Sequence, residues 1–149
     1  MTVHFICRGN AFRSRMAEAY FNSLNLAGKR AISSGSVADL HSQCNKQNFT
    51  ITQAVLAEHG LESYTKPHWD QLTQGRIDAC ELTVCLSQSA KDECDRLFTM
   101  PKNTLVWAIP DFDEVVPIPK SETELHDYAE ETYRSVVHEV QRLVSTKGV

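Results

Sequence analysis

The chain has 149 residues, is 42% hydrophobic and 23% charged, and carries a net charge of −4. This suits one globular domain with a sizeable core and excludes a disordered chain. The acidic balance argues against a nucleic-acid binder, which would present a basic face. No apolar run is long enough to span a membrane. Motif-bearing sequence starts within a few residues of Met1, which argues against a signal peptide. Five cysteines with no Cys-x-x-Cys pair fit a reducing compartment, so a cytoplasmic address is the expectation. No His/Cys cluster has zinc-ligand spacing, so no metal site is expected. The six scattered histidines read as surface or packing residues.

In chain order, Val3-His4-Phe5-Ile6 reads as a short apolar strand ending in Cys7. A tight loop, Arg8-Gly9-Asn10-Ala11-Phe12, follows. A helix is expected from about Ser14, with Ala17, Tyr20, Phe21 and Leu24 as its core stripe and Gly28 past its end. Ala31-Ile32-Ser33 reads as a second strand, closed by Gly35. Ile51, Ala54, Val55 and Glu58 outline a helix over about 48–59, stopped by Gly60. Leu82-Thr83-Val84-Cys85-Leu86 is the clearest buried strand. Ser89-Ala90-Lys91-Asp92 has the form of a capping box opening the next helix, with Pro101 after its end. Thr104-Leu105-Val106-Trp107 is a fourth strand, which brings Asp111 to its carboxyl end. Beyond the Pro117-Ile118-Pro119 loop, Ser121-Glu122-Thr123-Glu124 caps a long final helix. Leu125, Tyr128, Tyr133, Val136 and Leu143 lie on its core face.

This alternation of helices with apolar strands predicts an α/β fold. The expected architecture is three-layered and doubly wound, a four-stranded parallel sheet with helices on both faces, forming a single domain over 1–149. Ligands of such sheets bind beyond the carboxyl ends of the strands, near a topological switch point. Cys7, Ser34 and Asp111 all fall at strand ends.

The loop after the first strand has the chemistry of a pocket for a tetrahedral oxyanion. Backbone amides curled around a helix start converge on an anion, and the helix dipole adds positive potential. Gly9 permits close backbone approach, and Asn10 tolerates the left-handed region and bonds within the loop. Arg13 offers a planar fork that matches two phosphate oxygens. A thiol at such a position, beside a guanidinium, ionises readily and becomes a nucleophile, and the Ser14 hydroxyl is placed to donate to it. Arg8, Arg13 and Arg15 are expected at the pocket, where they would focus a dianion against the acidic background. The Gly-Lys-Ser/Thr phosphate loop of nucleotide hydrolases is absent.

The run Cys7-Arg8-Gly9-Asn10-Ala11-Phe12-Arg13-Ser14, with Met16-Ala17-Glu18-Ala19 behind it, resembles the signature of the low-molecular-weight protein tyrosine phosphatases. Ser33-Ser34-Gly35-Ser36 resembles that family's second strand end, and Trp107-Ala108-Ile109-Pro110-Asp111 its acid loop. The similarity runs in order along nearly the whole chain. It implies a phosphomonoesterase acting through a phosphocysteine, with Cys7, Arg13 and Asp111 catalytic. Arg8, Gly9, Asn10, Ala11, Phe12 and Ser14 would bind the phosphate. It implies no metal or organic cofactor, and a phosphotyrosine protein or small phosphomonoester as substrate. Asp113 is a rival for the acid two positions on.

The chain departs from that pattern at several places. Phe12 stands where the family often has a second cysteine, so a disulfide with Cys7 is not available there. Peroxide inactivation is then expected to be hard to reverse unless Cys44 or another thiol reaches Cys7. Arg15 replaces a proline after the serine, Phe112 replaces a proline after the acid, and Leu40 lies near where an aromatic often walls the groove. Three alternatives stay open. One is arsenate reduction through Cys85 and Cys94, set against their being packing residues of a strand and a helix. The others are a protein arginine phosphatase, on which small Ala11 does not decide, and a phosphate-binding module without turnover.

Overall fold

The structure, a computed structural model, describes the backbone of residues 1–149 and all side chains outside 41–44. Four strands, β1 (Thr2–Cys7), β2 (Arg30–Gly35), β3 (Leu82–Cys85) and β4 (Leu105–Val106), form one sheet in the order β2-β1-β3-β4. All pairings are parallel. The helices are α1 (Arg13–Ser23), α2 (Ser42–Glu58), α3 (Gln74–Asp78), α4 (Gln88–Leu97) and α5 (Glu122–Thr146). The expected doubly wound α/β architecture is therefore what the chain adopts.

Side chains alternate across β1, and this sorts the core into two layers. Val3, Phe5 and Cys7 join the larger cluster with residues of α1, α2 and α5. Phe5 sits within it edge-on to Phe21 at 6.1 Å and tilted against Trp107 at 5.5 Å. Burying such a ring contributes about 2–3 kcal/mol. Ile6 points the other way, into a smaller cluster with Leu72, Ile77, Cys85, Ala90 and Cys94 under α3 and α4. The chain winds from β1 to β2 on one side and to β3 on the other, so the switch point lies between β1 and β3.

Three boundaries differ from the sequence reading. The second helix starts at Ser42 rather than near 48, because the mostly polar sequence of its first turns gives no apolar period. The helix after β3 is capped by Ser87, whose Oγ accepts from Ala90 N at 3.3 Å, and Ser89 lies inside it. Ser87 is the first polar side chain past the strand, and the cap falls there. The one-turn α3, capped by Thr73, is too short to leave a periodic signal.

Candidate active site

The loop between β1 and α1 lies at the carboxyl end of a central strand, and β2 is stitched to it. Ser36 N donates to Cys7 O (2.9 Å) and Val37 N to Arg8 O (3.0 Å). The approach is closest at Gly35, where a Cβ would lie 2.6 Å from Arg8 O. Gly9 is crowded from the other side: a Cβ there would meet Asn45 Oδ1 at 2.4 Å, while Asn45 Nδ2 donates to Gly9 O at 2.8 Å. Asn10, not Gly9, takes the left-handed backbone, with φ 56°.

Asn10 organises the floor. Its Nδ2 donates to Ser14 Oγ (2.8 Å) and Ser33 Oγ (2.9 Å), and its Oδ1 accepts from Asp70 N (2.8 Å). These three partners fix which way the amide points. Ser14 Oγ, which accepts from Asn10, lies 2.9 Å from Cys7 Sγ, and it donates to the sulfur when that is a thiolate, which can only accept. Asn10 N donates to the same sulfur at 3.3 Å. Ser33 in turn donates to Glu18 Oε1 (3.0 Å), which sits on α1 beside Lys66 Nζ at 3.8 Å. Burial lowers the Lys66 ammonium. Burial opposes ionisation of Asp70, but its hydrogen bond to Lys66, with Arg76 and His68 nearby, holds that carboxyl below its ordinary range. The side chains of Asn10 and Ser14 thus lie behind the loop and act on the sulfur, outside the cavity wall.

Above the sulfur is a cavity of about 310 Å³. Cys7, Arg8, Gly9, Ala11, Phe12 and Arg13 line it from the loop, Asn45 and Asn48 from α2, and Asp111, Phe112 and Asp113 from the turn after β4. No side chain caps α1 at Phe12, so the first amides of the helix stay open to a ligand. Arg13 is 1% exposed and donates from Nη1 to Ile109 O (2.9 Å) and from Nη2 to Asp111 Oδ2 (3.4 Å). Among the described residues its buried Nε has no partner. An unmet buried donor costs about 1–3 kcal/mol.

Asp111 caps a single 3-10 turn, Phe112–Glu114. Its Oδ1 accepts from Phe112 N (2.8 Å), and Glu114 Oε1 accepts from Asp111 N (3.0 Å). Glu114 also stands 3.7 Å from Arg13 Nη1. Arg8 at the rim pairs with Glu93 of α4 at 3.3 Å. Burial counts against the Arg8 charge, yet the bond to Glu93 and the carboxylates of Asp113 and Asp111 raise it above its ordinary value.

Arg15 is not at the pocket. It is fully buried on the far side of α1, where Nη1 donates to His68 O (2.7 Å) and Nη2 to Gln53 Oε1 (2.9 Å). Its guanidinium lies 4.4 Å above the Phe49 ring. Arg13 and Arg15 are two residues apart on a helix and cannot share a face. Leu40, 81% exposed, does not line the cavity either. Cys85 is in register with Ile6 and packs with Cys94 in the smaller cluster, on the face away from Cys7. Its hydrogen bond to Cys85, followed by burial, pushes the Cys94 thiol up. The Cys44 side chain lies outside the described residues. Asn45, Asn48, Glu93 and Glu114 were not singled out from sequence. Glu114 had a legible signal, since Asp111-Phe112-Asp113-Glu114 has the spacing of a capping box. The others sit on helices remote in sequence from the loop.

A nucleophile-bearing anion loop at a strand end, with an arginine and a carboxylate across the cavity, defines the cysteine-dependent phosphatase class. The chain belongs to the low molecular weight phosphotyrosine protein phosphatase family, whose family model matches residues 2–146. Among solved structures it is similar to a low molecular weight protein tyrosine phosphatase from T. tengcongensis, with TM-score 0.72 and 20% identity over 97% of this chain and 98% of that one. Vibrio vulnificus Wzb, in complex with benzylphosphonate, gives TM-score 0.71 and 17% identity over 97% of each chain. The YwlE arginine phosphatase from Geobacillus stearothermophilus gives TM-score 0.64 and 21% identity over 97% of this chain and 93% of that one. At these identities the likeness is one of fold. No curated protein matches the chain.

Proposed function

We propose that the chain hydrolyses phosphotyrosine in proteins, or small aryl phosphates, through a phosphocysteine on Cys7. The observation that carries this reading is the hydrogen-bonded chain from Asn10 through Ser14 to the Cys7 sulfur, beneath a cavity that Arg13 and Asp111 also line. The Cys7 thiolate attacks phosphorus, the bond to the leaving oxygen breaks, and Asp111 gives that oxygen its proton. Water then attacks phosphorus, Asp111 takes its proton, and the P–S bond breaks to return the thiolate and release phosphate. Throughout, Arg13 and the loop amides hold the non-bridging oxygens as charge spreads over them. Asp111 is preferred to Asp113 because its carboxylate already faces Arg13 at 3.4 Å.

A deep cavity with sulfur at its floor suits a long aryl ester, which favours tyrosine. Phosphoarginine is the second reading, because the Asp113 carboxylate lining the cavity suits a guanidinium leaving group. The test is hydrolysis of p-nitrophenyl phosphate near pH 6, without added metal, by wild type and Cys7→Ser. Turnover lost in the variant supports the reading, and turnover kept in it sinks it. A following panel of phosphotyrosine and phosphoarginine peptides chooses between the two substrates.

A further inference from the structure

Two departures from the family pattern meet in space. Phe12 stands in the phosphate loop, and Phe112 directly follows Asp111. Their rings stack, with centroids 4.2 Å apart and planes inclined by 22°. Both are nearly fully buried. Tyr128 of α5 packs against them at 6.2 and 5.4 Å. The Tyr128 hydroxyl donates to Pro110 O at 2.6 Å and lies 3.4 Å from Asp111 O. The acid residue is therefore held on both sides, by a hydroxyl on the backbone before it and by a stacked ring after it.

We propose that Phe12, Phe112 and Tyr128 are the positioning residues for Asp111, joining the acid turn to the phosphate loop as one body. The proposal rests on the phosphatase reading above. A proline after the acid would restrict the backbone through its ring but would have no N–H. Phe112 reverses both properties: its N–H donates to Asp111 Oδ1 at 2.8 Å, which leaves Oδ2 turned to Arg13. Its freer backbone needs another restraint, and the stack on Phe12 supplies one. A cysteine at position 12 would offer no ring to stack on. The two departures are thus a matched pair, and the aromatic cluster serves the protonation step more than the binding of phosphate.

Leaving-group dependence tests this, because protonation matters little when the leaving oxygen is already a weak base. We would compare kcat/KM, which reports formation of the phosphocysteine and not its later hydrolysis, on phenyl phosphate and on 2,4-dinitrophenyl phosphate. The expectation for Phe112→Leu is a loss of about 10-fold or more on phenyl phosphate and under about 3-fold on the dinitrophenyl ester. Phe112→Tyr, which keeps a ring, should restore the phenyl phosphate rate. On phenyl phosphate the Phe12→Leu and Phe112→Leu losses should not add, the double variant being little worse than either single one. Tyr128→Phe removes only a hydroxyl and keeps the test open if a leucine variant does not fold, and it must show the same split. Equal loss on both esters, no loss, or additive losses overturn the positioning role. Wild-type protein without Cys7-dependent turnover of either ester would overturn the phosphatase reading and this inference with it.

Discussion

Ser14 Oγ accepts from Asn10 Nδ2 and lies 2.9 Å from Cys7 Sγ; a thiolate there can only accept, so the Ser14 hydroxyl donates to it. That bond to the sulfur is lost if Ser14 is removed. Ser14→Ala should therefore slow turnover about 10–100-fold, the worth of one hydrogen bond to a charged group. It should also slow alkylation of Cys7 by iodoacetamide at pH 6, and unchanged alkylation would show that the hydroxyl does not act on the sulfur. At the mouth, the two carboxylates part company by their contacts. Asp111 is fixed by Phe112 N and faces Arg13, whereas Asp113 only lines the cavity. Asp111→Asn should cost about 10²–10⁴-fold on phenyl phosphate and Asp113→Asn less than about 3-fold. The reverse order in these kinetics would move the acid to Asp113.

The elements that carry these residues are tied together from inside by Arg15. It links α1 to Gln53 of α2 and to the carbonyls of Lys66 and His68 in the following segment. Burial lowers its guanidinium to about 10, with Glu18 and Asp70 among the charges that oppose the shift, so it stays charged at neutral pH. A lysine cannot reproduce a planar fork with acceptors in several directions. Arg15→Lys should destabilise the fold by about 2–4 kcal/mol in urea unfolding. A change within about 0.5 kcal/mol would mean that the clamp carries little of the packing between α1 and α2. Sequence alone misplaces this residue because three arginines close in sequence look alike until the helical turn separates their faces. The phosphate loop was legible because Cys7, Asn10, Arg13 and Ser14 are contiguous and their spacing is itself the geometry. Asn45 and Asn48 were not, because they reach the cavity from a helix whose first turns are polar throughout. The Phe12–Phe112 contact was hidden for the same reason: a pair a hundred positions apart becomes visible only once the sheet brings β1 and β4 to a common edge.

Across the whole molecule, the alternation of β1 puts Cys7 on one face of the sheet and His4 on the other, so the loop after β1 rests on a layer with its own charge problem. His4 is fully buried and shares Ser34 with Arg76: Arg76 Nε donates to Ser34 Oγ (2.8 Å), and His4 Nε2 lies 2.8 Å from the same oxygen. Burial first, then the charges of Arg76 and Lys66, lowers the His4 value from 6.5 to about 3. The sign follows from linkage. Below pH 6.5 the unfolded chain takes up a proton that the folded chain refuses until about pH 3, so stability falls as pH drops through that window. Asp70 and Glu93 are held below the ordinary carboxylate range and lose their contributions at lower pH, in the same direction. The interval from pH 7 to roughly pH 5 lies above those carboxylates, and the share of His4 over it is about 2 kcal/mol. His4→Gln keeps an acceptor for Ser34 and removes the titration. Unfolding free energies at the two pH values should fall by about 2 kcal/mol more in wild type than in His4→Gln. An equal fall in both proteins would mean that the ring accepts its proton in the folded state. The layer beneath the phosphate loop would then tolerate a third cation beside Arg76 and Lys66.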